Sequence, residues 1–240
     1  MSINSENNSL SAKVIYDLTS FTHLDYPNHL ACIVWFSGCN MRCDYCYNKD
    51  IVFAKEGKFS YEDILNFLKT RVNLLEAVVL SGGEATSHEL TLFCFKIKEL
   101  GFKIKLDTNG TNFKQIKELL DLNLLDFIAL DYKAPKEKFT QITHSYKFDE
   151  FSKTLEYLIK TEMAFEARTT LHADLLNEED INKIRSYKEL REKNVKTIRE
   201  VSQKNLANSA IIPFDVKTFV RMTNAATFAQ YGERRHYFYN

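Results

Sequence analysis

Short apolar runs alternate with amphipathic stretches along this chain. Residues 12–18 and 30–36 read as strands joined by a turn-like segment, Thr22-His-Leu-Asp-Tyr-Pro-Asn-His29. The second run, Leu-Ala-Cys-Ile-Val-Trp-Phe, is apolar on both faces, as in a buried parallel sheet covered by helices. Strands follow over residues 77–81, 102–107, 127–131 and 164–171, with a further one over 195–201. Helices are expected over 61–72, 88–100, 112–122, 148–161 and 178–193. Ser60-Tyr-Glu-Asp63 is a capping box for the first, and Gly101 a C-terminal stop for the second.

Strand and helix alternate throughout, which gives an α/β fold with a mainly parallel sheet. About six βα units fall short of the eight in a closed barrel, so a partial, open (βα)6-type barrel fits, although a flat doubly wound sheet gives the same string. Residues 1–11, rich in Ser and Asn, are expected to be disordered. Residues 12–240 form one expected domain, with a core over 30–201 and a C-terminal extension over 202–240. Within that extension Pro213 interrupts, 215–231 reads as a helix and 234–240 as an edge strand.

Polar or glycine-rich signatures follow five of these strands: the loop carrying Cys39, Cys43 and Cys46, then Gly82-Gly83-Glu84, Asp107-Thr108-Asn109-Gly110, Asp131-x-Lys133, and Arg168 to His172. The C-terminal rim of parallel sheets is where α/β proteins assemble their sites. Three cysteines spaced C-x3-C-x2-C are one fewer than a closed four-ligand site takes. They suggest a [4Fe-4S] cluster with one iron left open. The alternative is a structural zinc completed by a distant residue such as His29.

Composition narrows the classes. The chain has 240 residues, 45% hydrophobic and 27% charged, and Lys+Arg and Asp+Glu are equal at 32 each. No basic field argues for nucleic acid or an anionic membrane. The N-terminal segment lacks the apolar core of a signal peptide, and no apolar run approaches the ~18 residues of a membrane span. Five cysteines with three bunched indicate metal chemistry in a reducing, cytoplasmic compartment rather than disulfides. Cys94, spaced with Leu90, Phe93 and Ile97 on one helix face, reads as core, and so does Cys32. Glu84 alone could open a helix, but the paired glycines after a strand favour a functional role; Asp107 and Asp131 could be helix N-caps, and Lys133 could be solvated.

Together, Cys39-x3-Cys43-x2-Cys46 and Ser81-Gly-Gly-Glu84 resemble the radical S-adenosylmethionine (SAM) superfamily. Phe21-Thr-His-Leu-Asp-Tyr-Pro, Ser37-Gly-Cys-Asn-Met-Arg-Cys, Leu106-Asp-Thr-Asn-Gly and Leu130-Asp-Tyr-Lys-Ala-Pro resemble the activating enzymes of glycyl-radical enzymes. Among these, the activating proteins of anaerobic ribonucleoside-triphosphate reductase, in their longer bacterial form, are the most similar. The resemblance covers roughly residues 12–175. It implies that Cys39, Cys43 and Cys46 bind three irons, the fourth being chelated by SAM. It implies that Gly82, Gly83 and Glu84 meet the methionine end of SAM, with the carboxylate pairing the ammonium. It also implies that Asp107, Thr108, Asn109, Asp131 and Lys133 line the SAM pocket, with a monovalent cation near Asp107 and Asp131. Arg168 and His172 would be SAM-contacting or substrate-side groups. The implied reaction makes a glycyl radical on a partner enzyme, with flavodoxin or ferredoxin as electron donor. A 7-carboxy-7-deazaguanine synthase-like enzyme is the alternative within the superfamily, and a zinc-stabilised α/β binding module the alternative outside it. Ala85 stands where relatives commonly have proline, which should loosen that loop.

Overall fold

The computed structural model describes residues 10–161, 163–172, 174–185 and, for the backbone, 234–238. One seven-stranded sheet runs in sequence order, β1 to β7. Strand β1 (Ile15–Thr22) is antiparallel to β2 (Ala31–Phe36), as expected for a hairpin. From β2 the sheet is parallel through β3 (Ala77–Gly82), β4 (Lys103–Thr108), β5 (Phe127–Asp131) and β6 (Phe165–Leu171). Strand β7 (Arg234–Phe238) closes the far edge antiparallel to β6, within the expected edge strand. The helices between them are α1 (Lys49–Phe53), α2 (Tyr61–Lys69), α3 (Thr91–Glu99), α4 (Phe113–Asp121), α5 (Lys136–Thr143), α6 (Phe148–Lys160) and α7 (Glu178–Arg185). Expectations for residues 1–9, for the helix beyond residue 185, for a strand over 195–201 and for a helix over 215–231 lie outside the described residues.

The two faces of the sheet carry different chemistry because strand side chains alternate. Cys32, Val34 and Phe36 of β2, Val78 and Leu80 of β3, and Ile104 and Leu106 of β4 join Phe93, Leu119, Phe151 and Leu158 of the helices in one buried core. Each such large side chain removed from water contributes on the order of 1.5–3 kcal/mol. Cys32 and Cys94 are both in this core, as their spacing indicates. The opposite face turns inward. Its lower end is plugged by Tyr26, Ala31, Ile33, Ala77 and Val79, with Trp35 and Phe127 against them. Further toward the C-terminal ends of the strands, polar and charged groups take over.

Local signals place the elements. Ser60 and Asp63 form the reciprocal capping box that starts α2. Gly101 follows α3 at φ +88°, a left-handed position that glycine occupies without side-chain strain. Helices α1 and α5 have no counterpart in the sequence reading.

Candidate active site

The cysteine loop leaves the end of β2 and is tied down on three sides. Gly38 accepts from Glu84 N through its carbonyl, and Gly83 N donates to Phe36 O, so the end of β3 packs backbone to backbone on the loop. This contact explains the glycines. A Cβ on Gly83 would stand 1.9 Å from Gly38 O, and one on Gly82, at φ +112°, would stand 2.5 Å from Phe36 N. Their immediate role is thus to admit the cysteine loop. On a second side, Arg42 N and Asp44 N donate to Thr143 O and Ile142 O at the C-terminal end of α5, and His144 Nε2 lies 2.6 Å from Asp44 Oδ1. On the third, Asn40 donates to Thr111 Oγ1 at 2.8 Å and accepts from Asn109 Nδ2 at 2.7 Å.

Glu84 is buried, and its carboxylate is fully used within the protein. Oε1 accepts from Thr86 N, Thr86 Oγ1 and Thr108 Oγ1, while Oε2 accepts from Asn109 N at 2.7 Å. Glu84 therefore caps the 3-10 turn Ala85–Ser87 and links the ends of β3 and β4. The same bonds hold the turn at Ala85, which is fully buried and firmly placed without a proline.

Farther along the rim, three acids meet three cations. Asp107 accepts from Ser81 Oγ at 3.0 Å and from Lys105 Nζ at 2.7 Å, with Arg168 at 3.6 Å. Asp131 accepts from Lys133 Nζ at 2.9 Å and from Arg168 Nε at 3.2 Å. Glu166 stands 3.8 Å from Arg168 and 4.0 Å from Lys105. Burial pushes the Asp131 carboxyl up, but Lys133 and Arg168 more than offset it and hold it at about 2. Asp107 is likewise held low, Arg168 and Lys105 outweighing its burial. Neither aspartate caps a helix; α4 is capped by Asn112. Lys133 is not a solvated lysine but an ion-paired one, and despite its burial Asp131 keeps it protonated.

These groups share one cavity of about 450 Å3. It is lined by Cys39, Cys43 and Cys46, by Gly82, Gly83 and Glu84, and by Asp107, Thr108, Asn109, Asp131, Lys133 and Arg168. His172 is not among the lining residues. Its half-exposed ring lies near Asp174 beyond the end of β6. Lys105, Glu166, Trp35 and Tyr45 also line the cavity and were not singled out from sequence. Lys105 and Asp107 alternate along β4, and Glu166 and Arg168 along β6, so the period of two carried the signal.

The zinc arrangement fails on geometry. His29 sits before the N-terminal end of β2, bonded to Pro27 O and Lys103, a full strand away from the cysteines. Among the described residues no three His, Cys, Asp or Glu side chains converge as ligands of a single ion. Three thiols spread around one space suit a cluster whose irons each take one cysteine. Burial, then the Glu84 charge, pushes the Cys39 thiol up to about 12, so iron would have to displace its proton. The amide of Met41 donates to Cys39 Sγ at 3.4 Å, the kind of bond that tunes a cluster sulfur.

Comparison with known proteins places the chain in a family. Residues 33–190 match the model of the radical SAM superfamily. A protein of Methanocaldococcus jannaschii named as a glycyl-radical enzyme activating enzyme is 29% identical over 178 residues, 71% of this chain and 73% of its own. The pyruvate formate-lyase-activating enzyme of Clostridium pasteurianum is 31% identical over 154 residues, 59% of this chain and 63% of its own. A 7-carboxy-7-deazaguanine synthase of Rickettsia prowazekii is 29% identical over 85 residues, 33% of this chain and 35% of its own.

Proposed function

Since this chain belongs to the radical SAM superfamily, we propose that it is a glycyl-radical enzyme activase, acting on anaerobic ribonucleoside-triphosphate reductase. The observation that carries the reading is the convergence of Cys39, Cys43 and Cys46 with the rims of β3 to β6 on one cavity. The likeness to an activating enzyme over 178 residues supports it further. The 85-residue likeness to the deazaguanine synthase covers too little to favour that alternative.

In this reading Cys39, Cys43 and Cys46 hold three irons of a [4Fe-4S] cluster, and SAM occupies the cavity beside them. When bound and reduced, the cluster would supply one electron to a C–S bond of SAM, giving methionine and a 5′-deoxyadenosyl radical able to take a hydrogen atom from a glycine Cα. The chain's own part is positional. Gly82 and Gly83 seat the cysteine loop, and Asn109 and Asn40 fix its distance from β4. Asp107, Asp131, Lys133 and Arg168 present a pre-formed set of charges to a zwitterionic ligand, with little reorganisation on binding. Any monovalent cation beside Asp107 and Asp131 would share them with Lys105, Lys133 and Arg168. The apolar plug below excludes water from the reacting atoms. A flavodoxin or ferredoxin supplies the electron in the cytoplasm. Among the described residues no helix is long and apolar enough to cross a membrane.

The test is anaerobic reconstitution with iron and sulfide, reduction, and EPR with and without SAM. A cluster signal that SAM shifts, 5′-deoxyadenosine formation, and a glycyl radical on the co-incubated reductase are expected. A protein that binds one zinc and ignores SAM would overturn the enzyme reading. SAM cleavage without a radical on the reductase would overturn the partner.

A further inference from the structure

Two side chains inside the cavity have no part in the scheme above. Glu166 on β6 and Lys105 on β4 are 5% and 2% exposed and lie 4.0 Å apart across the inner face. Lys105 is held by Asp107 at 2.7 Å. Glu166 is different: Arg168 and Lys105 are its nearest charges, both beyond hydrogen-bond reach, and no described group donates to its carboxylate. Glu166 lines the cavity rather than the packed core, so its accepting capacity is open to a ligand there.

Its depth identifies the side from which a donor would come. In the sheet register Asp131 is level with Arg168, and Ala129 with Glu166, so Glu166 lies one inward position below the Asp131–Arg168 pair. Lys105 is level with Phe127 and Val79, directly on the apolar plug. The cysteines lie at the opposite, upper end. The layer of Glu166 and Lys105 therefore lies deeper in the cavity than the Asp131–Arg168 pair, on the side away from the cysteines. The cavity also reaches Leu24, Asp25 and Pro27 of the β1–β2 turn; Leu24 is 81% exposed and Phe21, near the end of β1, 54%, an apolar flank at which a chain could enter.

The pair also defines the ligand's chemistry. The group held between them lies among charges that already pair with one another, Lys105 with Asp107 and Arg168 with Asp131. It must donate to Glu166 and accept from Lys105 a few ångströms away. A peptide unit does both.

Resting on the activase reading, we propose that Glu166 and Lys105 bind the backbone of the substrate polypeptide beside its reacting glycine, Glu166 accepting an N–H and Lys105 donating to a C=O. Neither residue takes part in the hydrogen transfer; both position the glycine.

The test uses the cluster-loaded protein with SAM and a blocked probe peptide, acetyl-Ala-Ser-Gly-Tyr-Ala-amide. It is compared with the ester analogue in which the glycine N–H is replaced by oxygen. Calorimetry should show the amide binding wild type at least about tenfold more tightly than the ester, the scale of one hydrogen bond to a charged group. Glu166→Leu should bind both probes equally and weakly, and Glu166→Gln, which keeps an acceptor, should recover part of the difference. Iron content and SAM affinity serve as controls for folding. Equal binding of amide and ester by wild type, or no binding of the peptide at millimolar concentration, would overturn the proposal without any variant. Loss of SAM affinity in Glu166→Leu would also overturn it, assigning Glu166 to SAM instead. Failure of the activase reading is separable, since wild type would then place no glycyl radical on a co-incubated glycyl-radical enzyme, whatever it does to SAM or to the probe peptide.

Discussion

At Gly83 an added methyl group meets the carbonyl oxygen of Gly38, a backbone atom that cannot rotate away. Gly83→Ala must therefore push β3 from the cysteine loop and break the bond from Glu84 N to Gly38 O. A loss of about 1–3 kcal/mol is expected from such overpacking, with reconstituted iron content falling in parallel. Gly101→Ala is the control. Its Cβ would meet nothing within 4 Å, and its cost is the left-handed backbone alone, about 1 kcal/mol, with iron content unchanged. Urea melts and iron assays on the two variants separate these effects. Glu84 supplies a second residue-scale test. Its two oxygens accept from four donors, and Glu84→Gln would turn an amide NH2 toward some of them. A destabilisation of about 2–3 kcal/mol is expected in urea titration, because buried donors are left facing a donor.

Helix α5 shows how an element unread in the sequence serves the site. Lys136–Thr143 follows Pro135 and contains Thr140, Ile142 and Thr143, β-branched residues with weak helix preference, and no side chain caps its start. What holds it is tertiary: Phe139 and Ile142 are buried, and His144 ends it in the left-handed region at φ 53°. Its last carbonyls receive Arg42 N and Asp44 N, so the helix end fixes the cysteine loop. The side-chain pair His144–Asp44 is half-exposed and contributes little, whereas the backbone bond is specific. Asp44→Asn should thus change stability by under about 1 kcal/mol and leave iron binding intact. Asp44→Pro removes the N–H and should lower iron retention several-fold while leaving the secondary structure by circular dichroism unchanged. Iron retention after gel filtration, equal in the two variants, would contradict this role for α5. By contrast, β2, β3 and β5 were legible because each is a continuous apolar run, and α2 because Ser60 and Asp63 form a cap that needs no tertiary partner.

Across the whole molecule, the inner face of the sheet passes from apolar at the floor to ionic at the rim, and that gradient was only half legible. The strand-end signatures announced the rim, since the cysteine loop, Gly82-Gly83-Glu84 and Asp131 each follow a continuous apolar run. Lys105 and Glu166 did not stand out, because a charged residue alternating along a strand reads as the solvent face, and only an open barrel makes that face an interior. His172 follows the end of β6, and its ring lies near Asp174 rather than among the residues lining the cavity. The resulting ionic belt joins β4, β5 and β6 through Arg168, which reaches both Asp107 and Asp131. Asp131 binds fewer protons folded than unfolded, because its carboxyl is held at about 2 against an ordinary value near 3.8. Its stabilisation is therefore complete above about pH 4 and is lost as pH falls through about 2, amounting to about 2 kcal/mol. Asp131→Asn cannot lose what it lacks. Between pH 4 and pH 2 the wild-type unfolding free energy should fall by about 2 kcal/mol more than that of Asp131→Asn, measured by urea titration at each pH. Parallel acid limbs in the two proteins would show that the belt does not hold the three strands together.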